Sequence, residues 1–334
     1  LFGDARLRVS DRLSLLAGFR YDHEDNRYGA ETIATFNGTL PNPATFGAAG
    51  TPLNLAVTAI NRGVLGLVAQ AASARASNAR SFDAFLPKAG LSMEWTPDLT
   101  TAFTVQRAYR SGGSSQNPAR ALLVAYDPEY SWNYEGSLRS RWLDGRLTIN
   151  ANIFYVDWKD QQTTAFFGLN AYDYNTVNAG KSHLYGGELE VQGRLNRMFD
   201  AYASAGYVRT KYDRFDLPAG STSTVNLAGS QFPYAPRWTL AAGINGRAGA
   251  IAGNVNANYR SAVFTDVGTT QQQSRVPGRT VVNARLGYDA GRWTLFAFAR
   301  NLLDEDYVQY RTPDGNRGIV GDPQTFGAGL ELHL

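Results

Sequence analysis

The chain has 334 residues, of which 43% are hydrophobic and only 18% charged, with 34 Gly, 18 Tyr, 17 Phe and no Cys. Without cysteine there are no disulfides or thiolate metal sites, and a net charge of +3 spread along the chain gives no dedicated nucleic-acid surface. No run of 18 apolar residues occurs, so no membrane-crossing helix is expected.

Period-two alternation predicts thirteen strands, at roughly 2–10, 12–24, 81–95, 99–110, 129–142, 146–160, 184–196, 199–212, 234–247, 250–262, 279–289, 292–302 and 325–334. Leu1 stands almost inside the first of them. No basic and apolar leader precedes it, so a missing N-terminal part is expected. The connections alternate between short and long. The short ones centre on residues such as Ser10-Asp11, Asp144-Gly145 and Ala290-Gly291. The long ones run over roughly 25–80, 111–128, 161–183, 213–233, 263–278 and 303–324. The segment 25–80 reads as a long external loop in which Leu53 to Ala74 can hold a short helix.

The pair of strands around Asp144-Gly145 is the most regular. Leu147, Ile149, Ala151, Ile153 and Tyr155 alternate with Thr148, Asn150 and Asn152. Tyr134, Gly136, Leu138 and Trp142 alternate with Asn133, Glu135, Ser137, Arg139 and Arg141. Each strand reaches about 45 Å at ~3.3 Å per residue, well beyond a soluble strand. A soluble sandwich or propeller needs strands nearer five or six residues. Long hairpins with short turns at one end and long loops at the other fit an all-β, transmembrane antiparallel β-barrel. Trp95, Trp142, Trp238 and Trp293 are expected beside the short turns, as an interfacial girdle.

Several stretches then carry a resemblance. Phe85-Leu86-Pro87-Lys88-Ala89-Gly90-Leu91 with Trp95-Thr96-Pro97-Asp98, and Tyr109-Arg110-Ser111-Gly112-Gly113, are two of them. Tyr126-Asp127-Pro128-Glu129 with Asn133-Tyr134-Glu135-Gly136, and Asn178-Ala179-Gly180-Lys181 with Gly187-Glu188-Leu189-Glu190, are two more. Asn301-Leu302-Leu303-Asp304-Glu305-Asp306-Tyr307 and Pro323-Gln324-Thr325-Phe326-Gly327 complete the set. In order and spacing they resemble the C-terminal barrel portion of TonB-dependent outer-membrane receptors. The resemblance implies that 1–334 is part of a 22-stranded barrel in the outer membrane of a Gram-negative bacterium. It also implies an N-terminal plug domain, which this chain does not contain. Its implied partners are outer-membrane lipid, the plug, the TonB complex and an iron chelate or similar small ligand, with no nucleic acid. The family usually ends in an aromatic residue; this chain ends in Leu334.

No catalytic constellation is legible. The three histidines, His23, His183 and His333, have no positioned acid in the sequence. Asp304-Glu305-Asp306 reads as a solvated loop start, and neither a metal site nor a cofactor motif is expected. By strand parity Lys88, Glu135, Arg139, Glu188, Glu190, Arg260 and Arg285 face the lumen and the plug. Ligand capture belongs on the long loops, where Tyr109, Arg110, Tyr126, Phe166, Tyr172, Tyr174, Tyr310 and Arg311 offer stacking and positive charge. The wider loop set adds Tyr28, Arg120, Phe167, Tyr212 and Phe215. Arg110 shares the parity of Thr104 and Gln106, so it is expected inside, either meeting a ligand or paired with a neighbouring strand. The leading functional reading is an energised siderophore receptor. The alternatives are a passive porin-like channel or adhesin, and a membrane-embedded hydrolase.

Overall fold

The computed structural model describes the chain except residues 170–171, 220–222, 268–271, 273, 313–314 and 334, so the expectation for Leu334 lies outside the described residues. Thirteen strands form one antiparallel sheet in strict chain order. They are β1 (Phe2–Arg8), β2 (Leu13–Thr32), β3 (Ser73–Thr96), β4 (Leu99–Arg110), β5 (Glu129–Trp142), β6 (Leu147–Phe166) and β7 (Tyr174–Arg194). β8 (Phe199–Arg214), β9 (Trp238–Ala248), β10 (Ile251–Arg260), β11 (Arg279–Asp289), β12 (Trp293–Arg300) and β13 (Thr325–Leu332) follow. All thirteen expected strands are present. Among the described residues no pairing joins β1 to β13.

The turn after β5 occupies Leu143–Arg146 and is tighter than its length suggests. Leu143, Asp144 and Gly145 have φ of 56°, 56° and 77°. Left-handed backbone is least strained at Gly and tolerable at Asp, which is why Asp-Gly marks this reversal.

Two loop expectations need correction. β2 and β3 pair as far out as Thr32↔Ser73, so the loop read over 25–80 narrows to 33–72. Helix α1 (Pro52–Gln70) fills its middle, and its flanks return to that one pair. By length and mean hydropathy α1 is apolar enough to cross a membrane, although no 18-residue apolar run exists; Asn54, Asn61 and Arg62 interrupt it. The loop read over 161–183 narrows to 167–173, because β6 and β7 stay paired out to Phe166↔Tyr174. Backbone pairing satisfies N–H and C=O groups beyond the membrane as well as within it, so nothing ends the ladder at the bilayer surface.

The registers sort the side chains. Leu138, Gly136, Ile149, Ala151, Ile153, Val191, Leu189 and Gly187 share one face of β5, β6 and β7. That face is charge-free from Trp142 to the row Tyr134–Tyr155–Tyr185, and Ile153 is 68% exposed on it. A soluble sheet does not leave such a face bare; a lipid-facing one does. Beyond the tyrosines the same face turns polar, with Asp157, His183 and Lys211 in one row. Trp95, Trp142 and Trp293 lie at the turn end as expected. Trp238 does not. It opens β9 at the loop end and packs on Tyr207 at 4.7 Å, because β9 is eleven residues long and its turn follows Ala248.

The buried core is not inside the sheet but at its loop end. Ala165, Ala179, Tyr212, Phe215, Leu217, Leu227, Phe232 and Val267 pack together there, with Trp158 and Phe167 against them. The far ends of β6–β8 and the connections after β8 and β10 supply it. Tyr212, Phe215 and Phe167 of the wider loop set therefore serve packing.

Candidate functional site

The opposite face of the sheet is polar and internally paired. On β5–β7, Arg139 donates to Asn152 Oδ1 at 2.8 Å and lines a recess with Asn150, Glu188 and Glu190. Glu135 stands on the same face, opposite Phe154 of β6. On β9–β11, Asn254 donates to Asn245 Oδ1 at 2.6 Å, Asn256 to Asn254 at 2.8 Å and Asn258 to Asn256 at 3.1 Å. Arg285 pairs with Glu331 at 2.8 Å and lies 3.9 Å over the Phe296 ring. Arg260 lies directly opposite Arg279 at the loop end of this ladder.

The ladder between β3 and β4 ends at Lys88↔Gln106, next to Pro87, which has no N–H to donate. Beyond that point β4 continues on β5 alone, out to Arg110↔Glu129. The split opens a cavity of about 980 Å³ at the loop end of β1–β4. Its lining includes Asp4, Arg20, Asp22, Glu24, Lys88, Tyr109 and Arg110. Three sequence candidates, Lys88, Tyr109 and Arg110, thus meet in one hollow. Arg110 is already engaged: its Nη2 reaches Glu129 Oε2 at 2.9 Å and the Gln162 carbonyl at 3.0 Å. Tyr109 packs against Tyr130 with ring centres 5.4 Å apart, and its hydroxyl is buried with no hydrogen-bond partner among the described residues.

A polar lock lies behind this hollow. Gln162 Nε2 donates to the Ser111 and Asp127 carbonyls, at 2.8 and 3.0 Å. Asn178 Nδ2 donates to the carbonyls of Asp127 and Asp160, both at 2.8 Å. Arg80 reaches Asp127 at 2.6 Å and the Tyr126 carbonyl at 2.8 Å. The Asp127-Pro128-Glu129 and Asn178 motifs therefore clamp neighbouring strand exits to one another.

A second lock holds the hairpin formed by Gly113–Asn117 and Leu122–Tyr126. Arg120 grips the fully buried Asp173 through Nε and Nη2, each at 2.8 Å, while Asn117 and the Leu169 N–H also donate to it. Burial works to raise the Asp173 carboxyl, but these hydrogen bonds outweigh it and hold the group below the usual carboxylate range. Tyr126 ends this hairpin, and Phe166, Tyr172 and Tyr174 flank Asp173, with Tyr172 66% exposed. Tyr310 and Arg311 lie elsewhere, on the hairpin of Val308–Arg311 with Gly318–Val320.

Sequence reasoning missed Asp173, Gln162, Arg279 and Tyr307. Arg279 left a parity signal, shared with Asn283 and Arg285, and Tyr307 closes the Asn301–Tyr307 motif; the other two left none. Among the described residues no group of three His, Cys, Asp or Glu could hold a metal ion.

The chain belongs to the TonB-dependent receptor-like β-barrel family, whose model matches residues 1–302. It is 27% identical over 266 residues to the ferric-pyoverdine M114 receptor PbuA of Pseudomonas sp. (strain M114), a match covering 72% of this chain and 28% of that receptor. Its fold matches the ferric yersiniabactin uptake receptor FyuA of Yersinia pestis with a TM-score of 0.73 and 19% identity, covering 99% of this chain and 44% of that one. It matches the ferric-catecholate import receptor Fiu of E. coli K12 in its closed form with a TM-score of 0.69 and 18% identity, covering 100% and 44%. The chain thus spans less than half the length of each of these proteins. The family is a receptor and transporter class of the Gram-negative outer membrane.

Proposed function

We propose that this chain is the barrel part of an outer-membrane receptor that takes up a ferric siderophore or similar scarce chelate, energised through TonB. One observation carries the reading: the loop-end hollow of β1–β4, where Arg20, Lys88 and Arg110 come from the polar face of a family barrel and Tyr109, of the opposite parity, closes the edge where β3 and β4 part. Cations beside an aromatic ring suit an anionic or planar chelate. PbuA, a ferric-pyoverdine receptor by name, supports the ligand class. In this reading Tyr126, Phe166, Tyr172, Tyr174, Tyr310 and Arg311 receive the ligand on the outer hairpins. Lys88, Glu135, Arg139, Glu188, Glu190, Arg260 and Arg285 face the plug. The protein moves its ligand unchanged and is not an enzyme.

The test is uptake of radioactive iron chelates by cells carrying the intact receptor. Uptake is expected to require TonB and to fall about tenfold in Tyr172→Ala/Tyr174→Ala, at an unchanged receptor level in the membrane, if the pair contributes ~1.4 kcal/mol. Uptake indifferent to loss of TonB means a passive channel instead.

A further inference from the structure

At the loop end of the inner face, Arg260 of β10 and Arg279 of β11 sit directly opposite one another. Like charges facing across an antiparallel pair oppose pairing. Elsewhere in this barrel an inner-face arginine usually has a carboxylate: Arg110 has Glu129, Arg141 has Asp98, Arg247 has Asp289 and Arg285 has Glu331. This pair has none among the described residues. Arg260 Nε and Nη2 and Arg279 Nη1 are moreover buried with no hydrogen-bond partner there. Buried donors on a charged group are costly to leave unmade. Two such groups side by side need an outside explanation.

The surroundings hold the pair rather than neutralise it. Arg279 lies 4.1 Å over the Tyr307 ring, which fixes its plane without taking its N–H groups. Tyr307 is itself anchored, its hydroxyl accepting from the Asp322 N–H at 3.2 Å. Asn258, one step inward on the same face, is committed to Asn256. The guanidiniums are therefore positioned and half-buried, with three of their nitrogens unpaired among the described residues.

We infer that Arg260 and Arg279 form a seat for a small polycarboxylate. Two adjacent guanidiniums, turned outward, can donate to the carboxylates of one small anion, and two negative charges cancel the repulsion across the ladder. The seat lies on the wall that the proposed ligand passes. The inference rests on that reading for the ligand's role but not for its binding. A carboxylate can come from a soluble anion or from an acidic side chain elsewhere in the same receptor. We assign the soluble anion.

The experiment is thermal melting of the purified intact receptor with iron-free citrate, against sodium chloride at equal ionic strength. Citrate at a hundred times its dissociation constant is expected to raise the midpoint by about 2 °C, since an intact receptor of this family's length unfolds with a large entropy. Arg260→Gln and Arg279→Gln are expected to abolish that rise and to melt no lower than the parent without citrate, since each relieves repulsion. Arg279→Lys, which keeps charge and loses the fork, is expected to keep less than half of it. Equal stabilisation of parent and variants overturns the assignment. So does a parent that ignores citrate while Arg279→Gln melts lower, which means that an acidic side chain of the receptor already fills the seat. No iron is present, so failure to take up a ferric chelate is a separate result.

Discussion

At the scale of single residues, the molecule uses charge mainly to fix the loop end. Asp173 is the clearest case, a carboxylate with no exposed side-chain surface held by Arg120, Asn117 and the Leu169 N–H. Removing one partner of a buried pair strands the other. Asp173→Ala is therefore expected to loosen the 113–126 hairpin and the 167–173 loop by about 3 kcal/mol, read as roughly hundredfold faster amide exchange in those segments. Exchange unchanged there would deny Asp173 this role. The pH dependence follows from the lowered carboxyl. A group with a depressed folded value stabilises fully above its unfolded value of about 3.9, and the contribution fades as pH falls through the folded one. The hairpin is thus expected to stay protected at pH 5 and to open only under stronger acid. Arg110 obeys the same economy: its strand parity was legible in the sequence, yet Glu129 and Gln162 already occupy its guanidinium. Capture by Arg110 would mean exchanging those partners for a ligand.

At the scale of elements, the strand faces can be tested by one pair of neighbours. Ile153 and Asn152 are adjacent on β6 and point to opposite faces, with Ile153 opposite Gly136 and Asn152 opposite Ser137. Arginine at position 153 is expected to cost roughly 2–4 kcal/mol in a bilayer, and at position 152 much less. Unfolding titrations of the receptor in lipid vesicles measure both, and equal penalties would reverse the lipid assignment. The strands were legible because lipid on one side and water on the other impose a strict period of two. The outer ends were not. Gln161, Gln162, Thr163 and Thr164 continue β6 where both faces are polar or locally packed, so alternation loses its contrast although pairing goes on. The candidate site suffered the same way. Arg120 and Asp173 are 53 residues apart, and no local pattern joins them. Trp238 misled for a simpler reason: a tryptophan marks an interface but not which one.

At the scale of the whole molecule, the sheet ends on two open strands. Among the described residues β1 pairs only with β2, and β13 only with β12. Each leaves a row of N–H and C=O groups without a sheet partner along its outer side, where bare edges invite pairing with other chains. In hydrocarbon each unmatched group costs several kcal/mol, so a spanning sheet must close or find further strands. The fold of these thirteen strands matches part of much longer relatives, of which this chain covers 44% in both FyuA and Fiu. Closing thirteen antiparallel strands on themselves would also bring β1 and β13 together in the same direction, a parallel seam unlike every other pairing in the sheet. The 334 residues expressed alone are therefore expected to give no compact, heat-modifiable monomer on cold detergent gels, but to associate through β1 and β13. Adding the remaining strands of the same receptor in trans is expected to rescue insertion. A monodisperse, heat-modifiable monomer from these residues alone would show that the two edges meet, and that the lumen they enclose is complete without further strands.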